Sequence, residues 1–445
     1  MVFGGWHCAG LKQRYRKEVY MKSWMFFVGV MMAISSARAD MYSALQRVYD
    51  TNPVIAEQRQ IVSGAAADID LARSGYKPFL GVGAGIGAAR SQLFGDTYNY
   101  VPTQIGAEFE QNLFAGGATM AQIKAAKGLH ESQVAVLYST QQDVFLDAIN
   151  AYINVLNAAE VLKLNENNMR VLDEYYDYVK GRADVGMLTK TDVASAAARV
   201  AGAKYSVANA RASYDNSLET FRRIYGTTDE DFTEVKTSPV RDAFPDSVDA
   251  AERAAMQSHP ALIALDAQES AARENITIAR KTRMPSVDVK ASIMQMDDLP
   301  IVDRIRDGRV GVYLTVPLYD KGAASARVEK GRFTVASIQD KIINTRRVIS
   351  ENLHQAWNVY DAQTVAIDAA GARVDAAKLA LNGIRAEQEN GRRTVLDVLD
   401  AEQELLNAQV ELTRARHAKV SAYFAILAAV GRLSAENLGL NTSDD

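Results

Sequence analysis

Asp397 and Asp400 stand three residues apart in a stretch with helical periodicity, so their carboxylates leave one face of a helix. Two carboxylates crowded together attract cations and raise one another's pKa. Taken alone, such a pair is ordinarily a solvated surface feature. The residues just before it are Gly391, Arg392, Arg393 and Thr394. A second segment has the same character: Val185, Gly186, Met187 and Leu188, followed by Thr189, Lys190, Thr191 and Asp192. Glycine tolerates the left-handed backbone that a tight reversal between two helices requires. Thr189 or Thr191 in one segment, and Thr394 in the other, suit the cap of the returning helix. Asp397 then falls in its first turn, at the positive end of the dipole.

Other chemistry finds no constellation. His7, His130, His259, His354 and His417 are scattered and form no metal-ligand spacing. There is no P-loop, nucleophile elbow or zinc motif. Gly81, Gly83, Gly85 and Gly87 alternate, but they lead into another strand-like segment rather than a helix, so they are no nucleotide loop. The expectation is a non-enzyme with no catalytic residue, no metal site and no cofactor. Charge is nearly balanced, 50 Lys+Arg against 54 Asp+Glu, which lacks the basic footprint of a nucleic-acid binder.

The elements that position these residues are written twice. Asn52-Pro53 matches His259-Pro260, and Lys77-Pro78 matches Met284-Pro285, at an offset of 207. Leu113-Phe114 with Gly117 matches Leu318-Tyr319 with Gly322, at 205. Tyr152 and Trp357, Gly186 and Gly391, Asp192 and Asp397, and Arg211 and Arg416 keep that offset of 205. An internal duplication explains a register held so far. The repeats are read as residues 40–226 and 248–431, with a linker at 227–247 and a tail at 432–445. Each repeat has a lead-in helix, a β-hairpin (about 79–114 and 286–317), and helices at 118–184 and 189–226, or 323–389 and 394–431. At 1.5 Å per residue, a helix of about 67 residues reaches roughly 100 Å, which suits coiled coils and tubes rather than globules. Val155, Leu162 and Met169 recur every seven residues, as do Leu399 and Leu406, and Leu405 and Leu412. Nine alanines between 192 and 212 allow close helix approach.

The strand segments alternate with period two. Val82, Ala84, Ile86 and Ala88 share a face, as do Ile105, Ala107, Phe109 and Leu113. So do Val287, Val289, Ala291 and Ile293, and Val310, Val312, Leu314 and Val316. The opposite faces are polar or bare. Such a pattern fits a half-buried soluble sheet or a membrane barrel. Four strands cannot close a barrel with a lumen, so in a membrane several chains must contribute. Export is read from the N-terminus: Met21-Lys22-Ser23, an apolar run from Trp24 to Ile34, and Ala37-Arg38-Ala39 read as a signal peptide cleaved after Ala39. Met1 and Met21 are alternative translation starts. Cys8, the only cysteine, precedes that run, so the mature chain has neither a disulfide nor a lipid-acceptor cysteine.

From about Asp40 to Leu440 the chain resembles the TolC-like outer-membrane efflux proteins. The segment Gly391-Arg392-Arg393-Thr394-Val395-Leu396-Asp397-Val398-Leu399-Asp400-Ala401 is the most specific match, with Val185 to Val193 as its counterpart. The resemblance implies a mainly α fold with transmembrane β. Three chains of four strands each form one twelve-stranded barrel in the outer membrane, continued by a helical periplasmic tunnel. It implies a passive duct for tripartite efflux or type I protein secretion, served by a periplasmic adaptor and an inner-membrane pump or ABC transporter. Residues 185–188, Gly391 and Arg392 become adaptor-docking tips, and Asp397 with Asp400 line a cation-selective entrance. Arg393 locks that entrance shut through Thr191 and Asp192. The family's tyrosine three residues before the tip glycine is Gln388 here, so one latch is missing or replaced. The competing readings are a periplasmic coiled-coil adaptor, a structural protein without a pore, and a cell-wall hydrolase, for which no catalytic set is present.

Overall fold

The computed structural model describes residues 41–227, 232 and 243–442. The signal segment, Cys8 and most of the linker lie outside the described residues.

Two short helices, α1 (Met41–Thr51) and α2 (Pro53–Ser74), open the first repeat. The expected single lead-in helix is broken because Pro53 has no N–H to donate and Asn52 takes an extended conformation (φ −67°, ψ 124°). The Asn52 side chain accepts from the Val54 N–H at 2.9 Å, which caps α2. The second repeat breaks its lead-in the same way, into α5 (Val248–Ser258) and α6 (Pro260–Lys281). There His259 is the cap, its Nδ1 accepting from the Ala261 N–H at 3.2 Å.

That histidine titrates where its counterpart cannot. Burial lowers the His259 pKa from 6.5 to about 4, so the folded protein holds the ring neutral and able to accept. An unfolded chain takes up the proton at its ordinary value. The cap's stability is therefore intact above pH 6.5 and is lost as pH falls from 6.5 towards 4. His259→Asn, which copies Asn52, is expected to flatten this acid limb of the melting curve while leaving the melting temperature at pH 8 nearly unchanged. Melting wild type and variant between pH 4.5 and 8 checks it; parallel acid limbs would contradict it.

The long helices follow the strands. They are α3 (Ala118–Asp184) and α4 (Lys190–Tyr225), then α7 (Ala323–Glu389) and α8 (Val395–Val430). α3 and α7 are each 67 residues long, while α4 and α8 are each 36. The shorter pair therefore packs along one half of the longer pair. α2 and α6 occupy the other half, with α6 against both α3 and α7. Where the shorter helices end, the main core forms. Phe145, Ile149, Tyr152, Phe221, Phe424 and Leu427 are fully buried there, with Leu433 and Leu438 from the C-terminal tail. Each such side chain contributes about 1.5–3 kcal/mol by leaving water. The heptad residues Val155, Leu162, Leu399 and Leu406 are also buried.

The four main strands are β1 (Phe79–Ile86), β4 (Thr103–Ala115), β5 (Ser286–Asp297) and β6 (Arg304–Thr315). They form one antiparallel sheet in the order β1-β4-β5-β6, so the two repeats meet at β4 and β5. β1 and β6 are open edges. Between β1 and β4 the chain adds a ribbon that the sequence reading lacked, β2 (Ala89–Leu93) paired with β3 (Asp96–Tyr100). One face assignment also changes. Asn112 pairs with Asp288 and Phe114 with Val287, which leaves Leu113 as a bulge outside the alternation. The remaining apolar residues do share a face: Leu80, Phe109, Ala291 and Val310 form one cross-strand row, and Val82, Ala107 and Ile293 the next. That face is uncovered, with Val82 77% and Val310 82% exposed. The other face carries Glu110 and Lys290, paired at 2.9 Å, and Arg309 and Asp307, paired at 2.7 Å. Among the described residues no helix is long and apolar enough to cross a membrane.

Candidate functional site

Two helix reversals lie at the end of the molecule farthest from the sheet. In the first, Gly186 (φ 74°) turns the chain out of α3 while the Met187 N–H donates to the Arg182 carbonyl at 2.9 Å. In the second, Gly391 (φ 73°) does the same for α7, with the Arg392 N–H on the Glu387 carbonyl at 2.9 Å. Both glycines sit in the left-handed region, which costs any other L-residue about 1–2 kcal/mol. Thr189, not Thr191, caps α4, in a reciprocal box with Asp192. Thr394 and Asp397 form the matching box on α8.

The box decides the state of Asp397. Its Oδ2 accepts from the Thr394 N–H and from the Thr394 hydroxyl, each at 2.8 Å. The backbone bond first, then the hydroxyl and the nearby Arg393 charge, hold this carboxyl below the usual carboxylate range. Within one protomer the direction is thus opposite to that expected from crowded carboxylates. Asp400 is not free either. It forms an ion pair with Arg199 of α4, which ties the second hairpin to the first. The sequence reading missed Arg199, since nothing in its spacing marks it.

Arg393 lies elsewhere than the lock assignment requires. Its Nε donates to Glu387 at 2.9 Å, within its own hairpin. Among the described residues no hydrogen bond or ion pair joins it to Thr191 or Asp192. Asp192 is engaged by Thr189, and Thr191 is exposed on the opposite tip. Gln388 is buried at 6% exposure.

The two tips share a core. Leu172 and Val179 of α3, Ala196, Val200 and Ala203 of α4, and Val395 and Leu399 of α8 are buried together. Beside them Glu402, 8% exposed, pairs with Arg385. Tyr175 stacks on Tyr178 at 5.8 Å, and burial pushes its phenol up to about 12. By contrast Val185 and Met187 stand 71% and 63% exposed at the end of the first tip. They present an apolar knob to whatever meets the molecule there. Among the described residues no cluster of His, Cys, Asp and Glu could hold a metal ion.

The profile of the family described as "Outer membrane efflux protein" matches residues 44–227 and 253–432. The outer membrane efflux protein BepC of Brucella suis biovar 1 is 28% identical over 403 residues, covering 90% of this chain and 87% of BepC. The outer membrane protein TolC of Escherichia coli is 26% identical over 419 residues, covering 88% and 83%. The Campylobacter jejuni CmeC outer membrane channel superposes with a TM-score of 0.76 at 15% identity, covering 91% and 87%, and so shares the fold. A profile matched over both repeats, on a chain whose two hairpins and joined sheet follow the same duplication, settles the family: the chain belongs to the outer membrane efflux proteins.

Proposed function

We propose that this protein is one subunit of a homotrimeric exit duct through the outer membrane of a Gram-negative bacterium, anchored in its lipid after removal of the signal segment near Ala39. The observation that carries the proposal is the sheet. It has one exposed apolar face and two unpaired edges, β1 and β6. Unpaired backbone groups cannot persist in hydrocarbon, so each edge must find another strand. β1 and β6 run in opposite directions, so β6 of one copy can take β1 of the next in the same antiparallel pattern. Three copies close a twelve-stranded barrel. The long helices carry its lumen across the periplasm, with Leu433, Leu438 and Leu440 of the tail packed on the core at its middle.

In this reading the chain performs no chemistry and binds neither cofactor nor nucleic acid. It is a passive conduit for drugs, metals or secreted proteins. A periplasmic adaptor and an inner-membrane pump or ABC transporter supply cargo and energy. Val185, Gly186, Met187 and Leu188, with Gly391 and Arg392, form the tips that the adaptor engages. Asp397 and Asp400 of three copies ring the entrance. Arg393 exchanges Glu387 for Thr191 and Asp192 of the neighbouring copy when the entrance shuts. An exposed pair of this kind is weak and a shielded one stronger, so three together make an adjustable lock.

Membrane fractionation tests the reading. The protein is expected in the outer-membrane fraction as a trimer that falls to monomer on heating. A soluble monomer in the periplasm would instead point to an adaptor. Arg393→Ser is expected to raise the single-channel conductance of the resting pore in a planar bilayer; an unchanged conductance would remove Arg393 from the lock.

A further inference from the structure

The apolar face of the sheet ends at a cationic mouth. Along β6 its outward positions run Leu314, Val312, Val310, Gly308, Arg306 and Arg304, moving away from the helices. Leu314 to Arg306 is eight residues, roughly 26 Å along the strand and about 20 Å in height once strands tilt as barrel strands do. Arg306 therefore stands at the outer border of the apolar band. Its Nε donates to Gln295 at 3.0 Å, which fixes the guanidinium on the outward face. Among the described residues no carboxylate lies within ion-pair distance of it, although the Asp297 carboxylate is close enough to feel its charge. The neighbouring Arg304 is neutralised by Asp297.

Directly below Arg306 the face is indented. Gly308 lies opposite Ile293, and Ile293 opposite Ala107, so two of three neighbours in the row have little or no side chain. The result is a notch of about 530 Å³ lined by Val82, Ala107, Ile293, Gly308 and Arg306, and by Asp307, whose carboxylate is taken up by Arg309. A Cβ added at Gly308 would meet only Ile293 Cγ2, at 3.9 Å, so the space is open rather than filled by a neighbour.

We propose that this notch and Arg306 form a binding site for the phosphorylated glycolipid of the outer leaflet, one acyl chain in the notch and a phosphate on the guanidinium. The inference rests on the reading that the apolar face meets outer-membrane lipid. An unpaired arginine at the border of hydrocarbon is costly unless it reaches an anion. A guanidinium matches phosphate with paired hydrogen bonds, and an acyl chain matches an apolar slot. The three copies of a trimer would carry three such sites, each spanning the four strands of one subunit from Val82 on β1 to Arg306 and Gly308 on β6.

Native mass spectrometry of the intact trimer tests this, with bisphosphorylated lipid A as probe and the same lipid stripped of phosphate as control. Wild type is expected to retain up to three lipid A molecules and far less of the control. Arg306→Gln should cut retention roughly tenfold, the loss of one charge-assisted contact. Gly308→Leu fills the notch and should cut retention with Arg306 intact, which distinguishes a lipid from a free anion. Retention by Arg306→Gln equal to wild type, or equal retention of the stripped lipid, would overturn the site. A wild-type trimer that conducts but holds no lipid A overturns the site alone. A protein that forms no membrane-inserted oligomer overturns the reading beneath it.

Discussion

Replacing Asp397 and Asp400 together with asparagine is expected to remove the cation preference proposed for the pore and to weaken its plugging by trivalent cations. Asparagine is the apt substitute at 397 because its side-chain oxygen still accepts from Thr394, so the α8 cap survives while the charge goes. In the proposed trimer, three copies lose six carboxylates at one constriction. The block by a trivalent cation should weaken roughly a hundredfold or more, since a triply charged ion loses several close carboxylate contacts at once. Current–voltage curves in asymmetric salt, with and without the trivalent ion, read both effects. Unchanged reversal potential and block would remove the pair from the entrance. Arg199 supplies the opposite arm. It neutralises Asp400 across the two hairpins, so Arg199→Gln frees that carboxylate and should strengthen cation preference. A shift towards anions in Arg199→Gln would contradict this arrangement.

The second large effect lies in the sheet. Val310→Arg is expected to abolish the outer-membrane trimer, because the side chain is 82% exposed midway along the apolar face of β6. An arginine near the bilayer midplane costs a membrane barrel about 2–4 kcal/mol per copy, and closure multiplies the cost by the number of copies. Ser292→Arg is the matched control. It lies on the opposite face, in register with Glu108 and Arg309, where a polar lumen accepts charge. Fractionation and gel migration of unheated samples should show the trimer for Ser292→Arg and none for Val310→Arg. If both variants assembled alike, the apolar face would not be the lipid face.

How much of this was legible in the sequence follows from what leaves a local trace. Gly186 and Gly391 recur at one offset and need positive φ, so both tips could be located from the chain alone. Thr189 with Asp192, and Thr394 with Asp397, carry the spacing of a capping box, so the choice of Thr189 over Thr191 was there to be read. Strand alternation identified the apolar face but not the bulge at Leu113. A period of two carries no signal for one extra residue beyond the two adjacent apolar side chains, Leu113 and Phe114. The β2–β3 ribbon was missed because its five-residue strands have mixed composition and no apolar run. The Arg199–Asp400 pair is purely tertiary: the residues are 201 positions apart and meet only when the hairpins dock. The Arg393–Glu387 pair was accessible in principle, since a glycine reversal brings flanking residues together. The family resemblance directed attention to Thr191 and Asp192, groups that one protomer does not bring to Arg393.

A closed barrel requires the two open strand edges to be paired with other copies of the same chain. Native mass spectrometry of the mature protein, released from the outer membrane in mild detergent, measures this directly. The predicted result is a particle of three chains that also conducts when placed in a planar bilayer. A conducting particle of one chain, or a stable monomer with both edges unpaired, would contradict it.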